Sequence, residues 1–180
     1  MKFRGSIVLE TERLILRPFQ SGDEVDMFKN YCNDPRVCEY VTWKPHGNIE
    51  VTTMLLNSWI ERYSEKLTYK WAIVLKETNE VIGAIDVVNY KTEKCVATLG
   101  YVLGHAYWGQ GIMPEAGKKV IDYLFDEGFI RIDAWHNVEN PKSGRVMQKI
   151  GMTHEGTLRK YDMNLNGELC DMEIYSIIKN

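Results

Sequence analysis

Cysteine and proline are scarce in this 180-residue chain: four of the first, Cys32, Cys38, Cys95 and Cys170, and five of the second. No two cysteines form a CxxC pair, and no histidine pair has the spacing of a helical metal site, so no metal is expected. Long apolar runs are missing too. Stretches such as residues 71–75 fall far short of the roughly 18 residues needed to cross a bilayer, so no membrane partner is expected. Residues 1–6 lead into alternating residues rather than a signal-peptide block, and free thiols in a reducing cytoplasm are the expectation. Nor is there an excess of one charge. The 22 Lys plus Arg against 25 Asp plus Glu leave a net charge of −3, which argues against a nucleic-acid partner.

What the chain does have is 44% hydrophobic residues, enough for one sizeable core, with no repeat or linker to divide it. At about 150 residues per domain, residues 1–180 read as a single domain. Residues 13–17 alternate and stop at Pro18, as a strand does. Ser21 is placed to cap a helix with Asp23, Glu24 and Asp26 in its first turn. Asn48 caps a second helix, in which Val51, Leu55, Leu56, Trp59, Ile60 and Tyr63 recur at three- and four-residue steps. The period then changes. Residues 68–76, 80–90 and 94–103 are rich in Val, Ile, Tyr and Trp and are separated by short polar turns, which predicts a three-stranded meander. A helix over 112–127, ended by Gly128, is followed by a strand over 130–135. A helix over 141–149, stopped by Gly151, is followed by a hairpin around Asn164–Gly167. The fold class is α/β, with a mixed sheet and a helix crossing between the fourth and fifth strands.

The most informative segment runs from Leu99 to Ala116, where a strand passes through a glycine loop into a helix. A helix start leaves backbone N–H groups unpaired and carries positive potential. Gly109 and Gly111 remove side chains that would hold an anion off those groups, so the amides from Gly109 to Met113 are candidates to grip a phosphate or pyrophosphate. A dinucleotide GxGxxG would need Gly where Pro114 stands, and a P-loop starting at Gly104 would need Lys where Gln110 stands. A bare glycine connection with no ligand is the alternative. The second segment is Asn140-Pro141-Lys142-Ser143, which by itself is an ordinary helix start.

Together these two segments resemble motif A and the following helix of the GNAT acetyltransferase superfamily. The shared pattern is Trp108-Gly109-Gln110-Gly111-Ile112-Met113, then Asn140-x-x-Ser143 and Lys149-x-Gly151-Met152. Residues 9–18, the segment 33–46, Gly100-Tyr101 and the closing Gly167…Asp171…Tyr175-Ser176 are similar to its ribosomal-protein-alanine acetyltransferase (RimJ/RimL-like) branch, so the resemblance spans nearly the whole chain. It implies a mixed, mostly antiparallel sheet of about seven strands, flanked by helices, with a V-shaped splay between strands 4 and 5. It also implies acetyl-CoA as cosubstrate and direct transfer to a primary amine, either a protein N-terminus or a small molecule. Homodimers are common in the branch.

By the resemblance, the backbone of Val102 and Leu103 holds the pantetheine arm, and the Leu103 amide polarises the thioester carbonyl. The loop Trp108, Gly109, Gln110, Gly111, Ile112, Met113 holds the pyrophosphate. Asn140 bonds the pantetheine amides. Met113 stands where the superfamily has Gly or Ala, its side chain expected in the core. Many members carry a proton-donating Tyr where this chain has Met147, which leaves Ser143 as the candidate acid; the alternative is that Ser143 only caps its helix. Asp86, in mid-strand, is a candidate general base. Lys142 and Arg145, or Lys118 and Lys119, are candidates for the 3′-phosphate of CoA. Glu39, His46, Tyr40, Trp43 and Trp59 belong to the expected acceptor wall, with surface or core roles as the rival reading; His105 and His136 are not expected to be ligands. A non-catalytic acyl-CoA sensor or scaffold and a nucleotide-binding module are the other functions weighed.

Overall fold

The computed structural model describes residues 1–65 and 67–179. A short hairpin, β1 (Leu9–Glu10) and β2 (Leu14–Arg17), opens the sheet. The helical segment α1 (Asp23–Met27) runs on as a π-turn over Phe28–Cys32. It is followed by α2 (Pro35–Cys38) and α3 (Ile49–Arg62). The meander is β3 (Lys70–Leu75), β4 (Glu80–Lys91) and β5 (Val96–Leu103). The helix α4 (Ile112–Glu127), β6 (Arg131–Asn137) and α5 (Pro141–Lys149) precede the closing hairpin of β7 (Thr153–Met163) and β8 (Leu169–Ile178).

The eight strands lie in the order β1-β2-β3-β4-β5-β6-β8-β7, and β5–β6 is the parallel pair. The sheet thus has one strand more than the seven expected, the two-residue β1, which is too short to show an alternating pattern. Two further local expectations are corrected. Gly22, at φ 101°, occupies the start of α1 in place of a Ser21 cap, while Asp23 is buried against Arg17 with oxygens 2.8 Å from the guanidinium. On α3, Val51 is exposed and Thr52 is buried, because Thr52 takes a hydrogen bond with His46 Nδ1 at 2.8 Å. Asn48 does cap α3, accepting from the Glu50 N–H.

The sheet separates two cores. Alternate β-residues such as Trp71, Ile73, Ile85, Leu99 and Leu103 meet Ala116, Val120, Ile121 and Leu124 of α4 and Met147 of α5. The opposite set, Ala72, Val74, Ala84 and Val102, meets Met27, Tyr31, Val37 and Leu56 from α1 to α3. This two-sided burial follows from the period-2 alternation of a strand.

The parallel pairing of β5 with β6 is short. It covers Val96–Thr98 against Arg131–Asp133, and the Thr98 hydroxyl donates to Asp133 at 2.7 Å on the last rung. Beyond it, β5 stays with β4 as far as Leu103 and β6 stays with β8 as far as Asn137, so their facing edges part. A bulge in β4 between Val87 and Asn89 lies opposite Leu99 and Thr98, where the separation begins. Such an extra residue bends a strand and increases its twist. The result is a notch with β5 on one side, β6 on the other, and the starts of α4 and α5 at its mouth.

Candidate active site

Backbone direction along β5 determines which amides face the notch. The Gly104 N–H donates to Ile82 O of β4 at 2.8 Å, and at the other end Cys95 O accepts from Ile130 N–H at 2.8 Å. Because successive residues point their backbone groups to opposite sides, the even positions, including Val102, turn to β4. Leu99, Tyr101 and Leu103 turn theirs to the notch. Of the two residues expected to hold the pantetheine arm, Leu103 therefore presents its amide and Val102 does not: Val102 is in register with Ala84. The Leu103 carbonyl accepts from the Trp108 indole N–H at 2.8 Å, which fastens the loop back onto the strand end.

The glycine loop enters α4 through two residues with positive φ, Gly109 and Gly111, both at 76°. That left-handed geometry is routine for glycine and strained for other residues. Outside the chain neighbours, no heavy atom lies within 4 Å of where a β-carbon on Gly109 would stand. The first helical bond is from the Glu115 N–H to Gly111 O at 3.1 Å, and among the described residues the N–H groups from 109 to 113 donate to no protein acceptor. Ile112 and Met113 point their side chains into the first core, so the large residue at 113 leaves the backbone free. The loop is braced from behind: Arg13 donates to Gln110 O at 3.0 Å and pairs with Glu115 at 2.7 Å, and Glu115 also accepts from the Thr11 hydroxyl at 2.6 Å. Sequence reading missed this brace, whose members lie about a hundred positions apart.

Across the notch, Asn140 caps α5, its side-chain oxygen 3.4 Å from the Ser143 N–H. Ser143 is not the cap. Its Oγ lies 2.8 Å from the Tyr101 hydroxyl, which also reaches Ser143 O at 2.9 Å. Tyr101 was noted in the sequence only as part of a Gly-Tyr pair, and the structure makes it the direct partner of Ser143. Lys142 Nζ sits 4.8 Å from the centre of the Trp108 ring, so a cation–π contact spans the mouth between α5 and the loop. Arg145 and Lys118 are exposed and Lys119 is half-buried.

Asp86 lies on the other face of the sheet. It pairs with Lys70, whose Nζ stands 4.2 Å from the centre of the Trp59 ring on α3. Gly100, opposite Asp86 on β5, has no side chain to screen it; a β-carbon there would lie 3.4 Å from Asp86 Oδ1 and collide with Val88 at 2.6 Å. Asp86, Lys70, Trp59, Arg62 and Tyr90 are among the residues lining a cavity of about 240 Å³. The other residues expected at this wall differ in exposure. Glu39 and Tyr40 are exposed, Trp43 packs on the second core, and burial pushes the His46 imidazole below its ordinary pKa. His105 packs at a tilt against Trp108, ring centres 4.7 Å apart, while His136 is buried, with Nδ1 2.7 Å from Asn137 O.

Among the described residues no group of three or more His, Cys, Asp or Glu side chains is placed to hold a metal ion, and no helix is long and apolar enough to cross a membrane. The four cysteines are free. Cys32 and Cys38 are buried in or beside the second core, and burial pushes the Cys32 thiol up to about 12.

Residues 13–153 match the family described as Acetyltransferase (GNAT) domain. The N-acetyltransferase YoaA of Bacillus subtilis strain 168, itself uncharacterised, is 34% identical over 173 residues, 96% of this chain and 97% of that one. The ribosomal-protein-S5-alanine acetyltransferase from Vibrio fischeri superposes with a TM-score of 0.84 at 25% identity, covering 97% of both chains. RimL, a ribosomal L7/L12 alpha-N-protein acetyltransferase solved in complex with coenzyme A, shares the fold with a TM-score of 0.82 at 20% identity, over 96% of this chain and 98% of that one. With its parted strands and its glycine-loop helix start, the chain belongs to the GNAT acetyltransferase family, and it is an N-acetyltransferase.

Proposed function

We propose that this enzyme takes acetyl-CoA in the notch and passes the acetyl group directly to a primary amine, a protein N-terminus or a small molecule. One observation carries the reading: the five consecutive amides from Gly109 to Met113 stand at the start of α4 with no protein acceptor among the described residues. That is the arrangement a diphosphate satisfies. Bound there, acetyl-CoA supplies an activated acyl carbon and a thiolate leaving group.

The Leu103 N–H, turned to the notch, donates to the thioester oxygen and strengthens its bond as negative charge collects on that atom. Asn140, with its side-chain oxygen committed to the α5 cap, keeps its amide NH₂ for a pantetheine carbonyl. Ser143 offers its hydroxyl to the departing sulfur. Asp86, paired with Lys70, lies next to Gly100 on the opposite side of the sheet, and in this reading its carboxylate receives the proton that the amine loses. Acetyl donor and amine thus approach from different faces and meet where β5 and β6 part. Direct transfer fits the thiols. Cys32 lies in the second core with Cys38 buried beside it, Cys95 immediately precedes β5, and Cys170 lies on β8.

Calorimetric titration with acetyl-CoA, followed by a thiol-release assay over N-terminal peptides and small amines, tests the proposal. Binding in the micromolar-to-millimolar range usual for enzyme substrates, roughly 1 μM to 1 mM, with thiol release on at least one acceptor supports it. Binding without release on any acceptor would indicate a sensor or scaffold, and no binding at millimolar ligand would reject the reading outright.

A further inference from the structure

We infer that Tyr101 is a positioning residue for acetyl transfer: its phenol orients the Ser143 hydroxyl so that the serine proton is presented to the leaving sulfur. The inference rests on the acetyl-transfer reading above. Tyr101 lies on the stretch of β5 that has left β6, on the same face as Leu99 and Leu103, and bridges to the first turn of α5. Its oxygen lies 2.8 Å from Ser143 Oγ and 2.9 Å from Ser143 O.

Two hydroxyl protons are shared there among three acceptors. If the phenol donates to the Ser143 carbonyl, its oxygen is free to draw the serine proton back from the notch. If the phenol donates to Ser143 Oγ, the serine proton is turned away from Tyr101. Negative charge developing on a sulfur in the notch selects the second arrangement. The phenol keeps its proton throughout: burial pushes its pKa well above the ordinary value, and a thiolate is a weaker base than even a free phenolate, with conjugate-acid pKa values of about 8.5 against about 10. As the C–S bond breaks, its electron pair goes to sulfur, the Ser143 hydroxyl hydrogen-bonds that charge, and the released thiolate equilibrates with water.

The position one helical turn after Ser143 offers no hydroxyl. Met147 occupies it, buried and without a proton to give. Ser143, one turn earlier on the same helix, offers the hydroxyl instead, and Tyr101 of β5 orients it.

The test compares kcat and KM for the wild type, Tyr101→Phe, Ser143→Ala and the double variant, with acetyl-CoA affinity measured by titration. Loss of one oriented hydrogen bond predicts a kcat about tenfold lower for Tyr101→Phe, with the KM for acetyl-CoA within about twofold of the wild type. The double variant is expected to be no slower than Ser143→Ala alone, because both changes remove the same hydrogen bond to sulfur. Tyr101→His, which restores an N–H donor, is expected to recover part of kcat and serves as the readout if Tyr101→Phe does not fold. Wild-type kcat in Tyr101→Phe, no recovery in Tyr101→His, or single-variant losses that multiply in the double variant would overturn the inference and leave acetyl transfer standing. A wild-type protein that neither binds acetyl-CoA nor turns over would defeat the parent reading instead.

Discussion

Ser143 and Asp86 stand on opposite faces of the sheet, one held by Tyr101 beneath α5, the other paired with Lys70 beside α3. Their separation assigns them to different protons. Ser143→Ala is expected to lower kcat by roughly 10- to 100-fold while leaving acetyl-CoA affinity unchanged, as read by steady-state kinetics and titration; full turnover would remove the serine from the chemistry. Asp86→Asn removes the carboxylate but keeps the shape. The expected result is a kcat/KM roughly 100-fold lower with acetyl-CoA affinity unchanged, and an unchanged rate would mean that water alone takes the proton. At this scale the sequence was partly legible. The family resemblance pointed to Ser143 and Leu103, and the structure sets Ser143 beside Tyr101 and Leu103 at the end of β5. Tyr101 was passed over because its role depends on a contact 42 positions away, to which no local pattern corresponds.

The elements that build the notch were read with unequal accuracy, for physical reasons. Both α4 and α5 were anticipated to the residue because their ends carry backbone signals: Gly111 and Gly128 with positive φ around α4, and Pro141 and Gly151 around α5. Strand ends drifted by a residue or two. The bulge at Val87–Asn89 and the three-rung limit on β5–β6 pairing were not visible, since register depends on partners. The sharpest element-scale prediction concerns the α4 start. Gly111→Trp starts a large side chain 3.7 Å from the Arg13 guanidinium that braces the loop and forces an L-residue to φ 76° where the candidate anion-binding amides begin. Acetyl-CoA binding is expected to be lost in titration, at a stability cost of about 1–2 kcal/mol from the backbone strain. Retained affinity in a folded variant would show that the ligand does not use this loop.

For the whole molecule, the sheet with a core on each face sets the notch, and the N-terminal segment helps hold the end of α4. Glu127 is buried and accepts from the Arg4 side chain at 2.5 Å, the Arg4 N–H at 2.8 Å and the Tyr69 hydroxyl at 2.7 Å. Despite the opposing effect of burial, these bonds hold its carboxyl below the usual range. A depressed folded-state pKa stabilises the protein above the unfolded carboxyl value of about 4.3, and that contribution is lost as the pH falls through the folded value. Glu127→Ala is expected to cost about 2 kcal/mol at neutral pH, the partly exposed Arg4 keeping the figure low. Its stability gap to the wild type should narrow in urea melts on the acid side; a constant gap would show that the carboxylate charge is not what stabilises. The two-core architecture was legible from alternation in the meander and the apolar face of α4. The Arg4–Glu127 link, like the Arg13–Glu115 brace, joins residues too far apart in sequence for pattern to connect them.

The central claim is that the amides at the start of α4 hold the diphosphate of coenzyme A. The most direct measurement is a pair of titrations on the wild-type protein, one with S-acetyl-4′-phosphopantetheine and one with S-acetylpantetheine, which differ only by one phosphate of the diphosphate. Losing two charge-assisted hydrogen bonds at about 1.5 kcal/mol each predicts roughly 100-fold weaker binding of the truncated thioester. Equal affinity for the two would contradict the account.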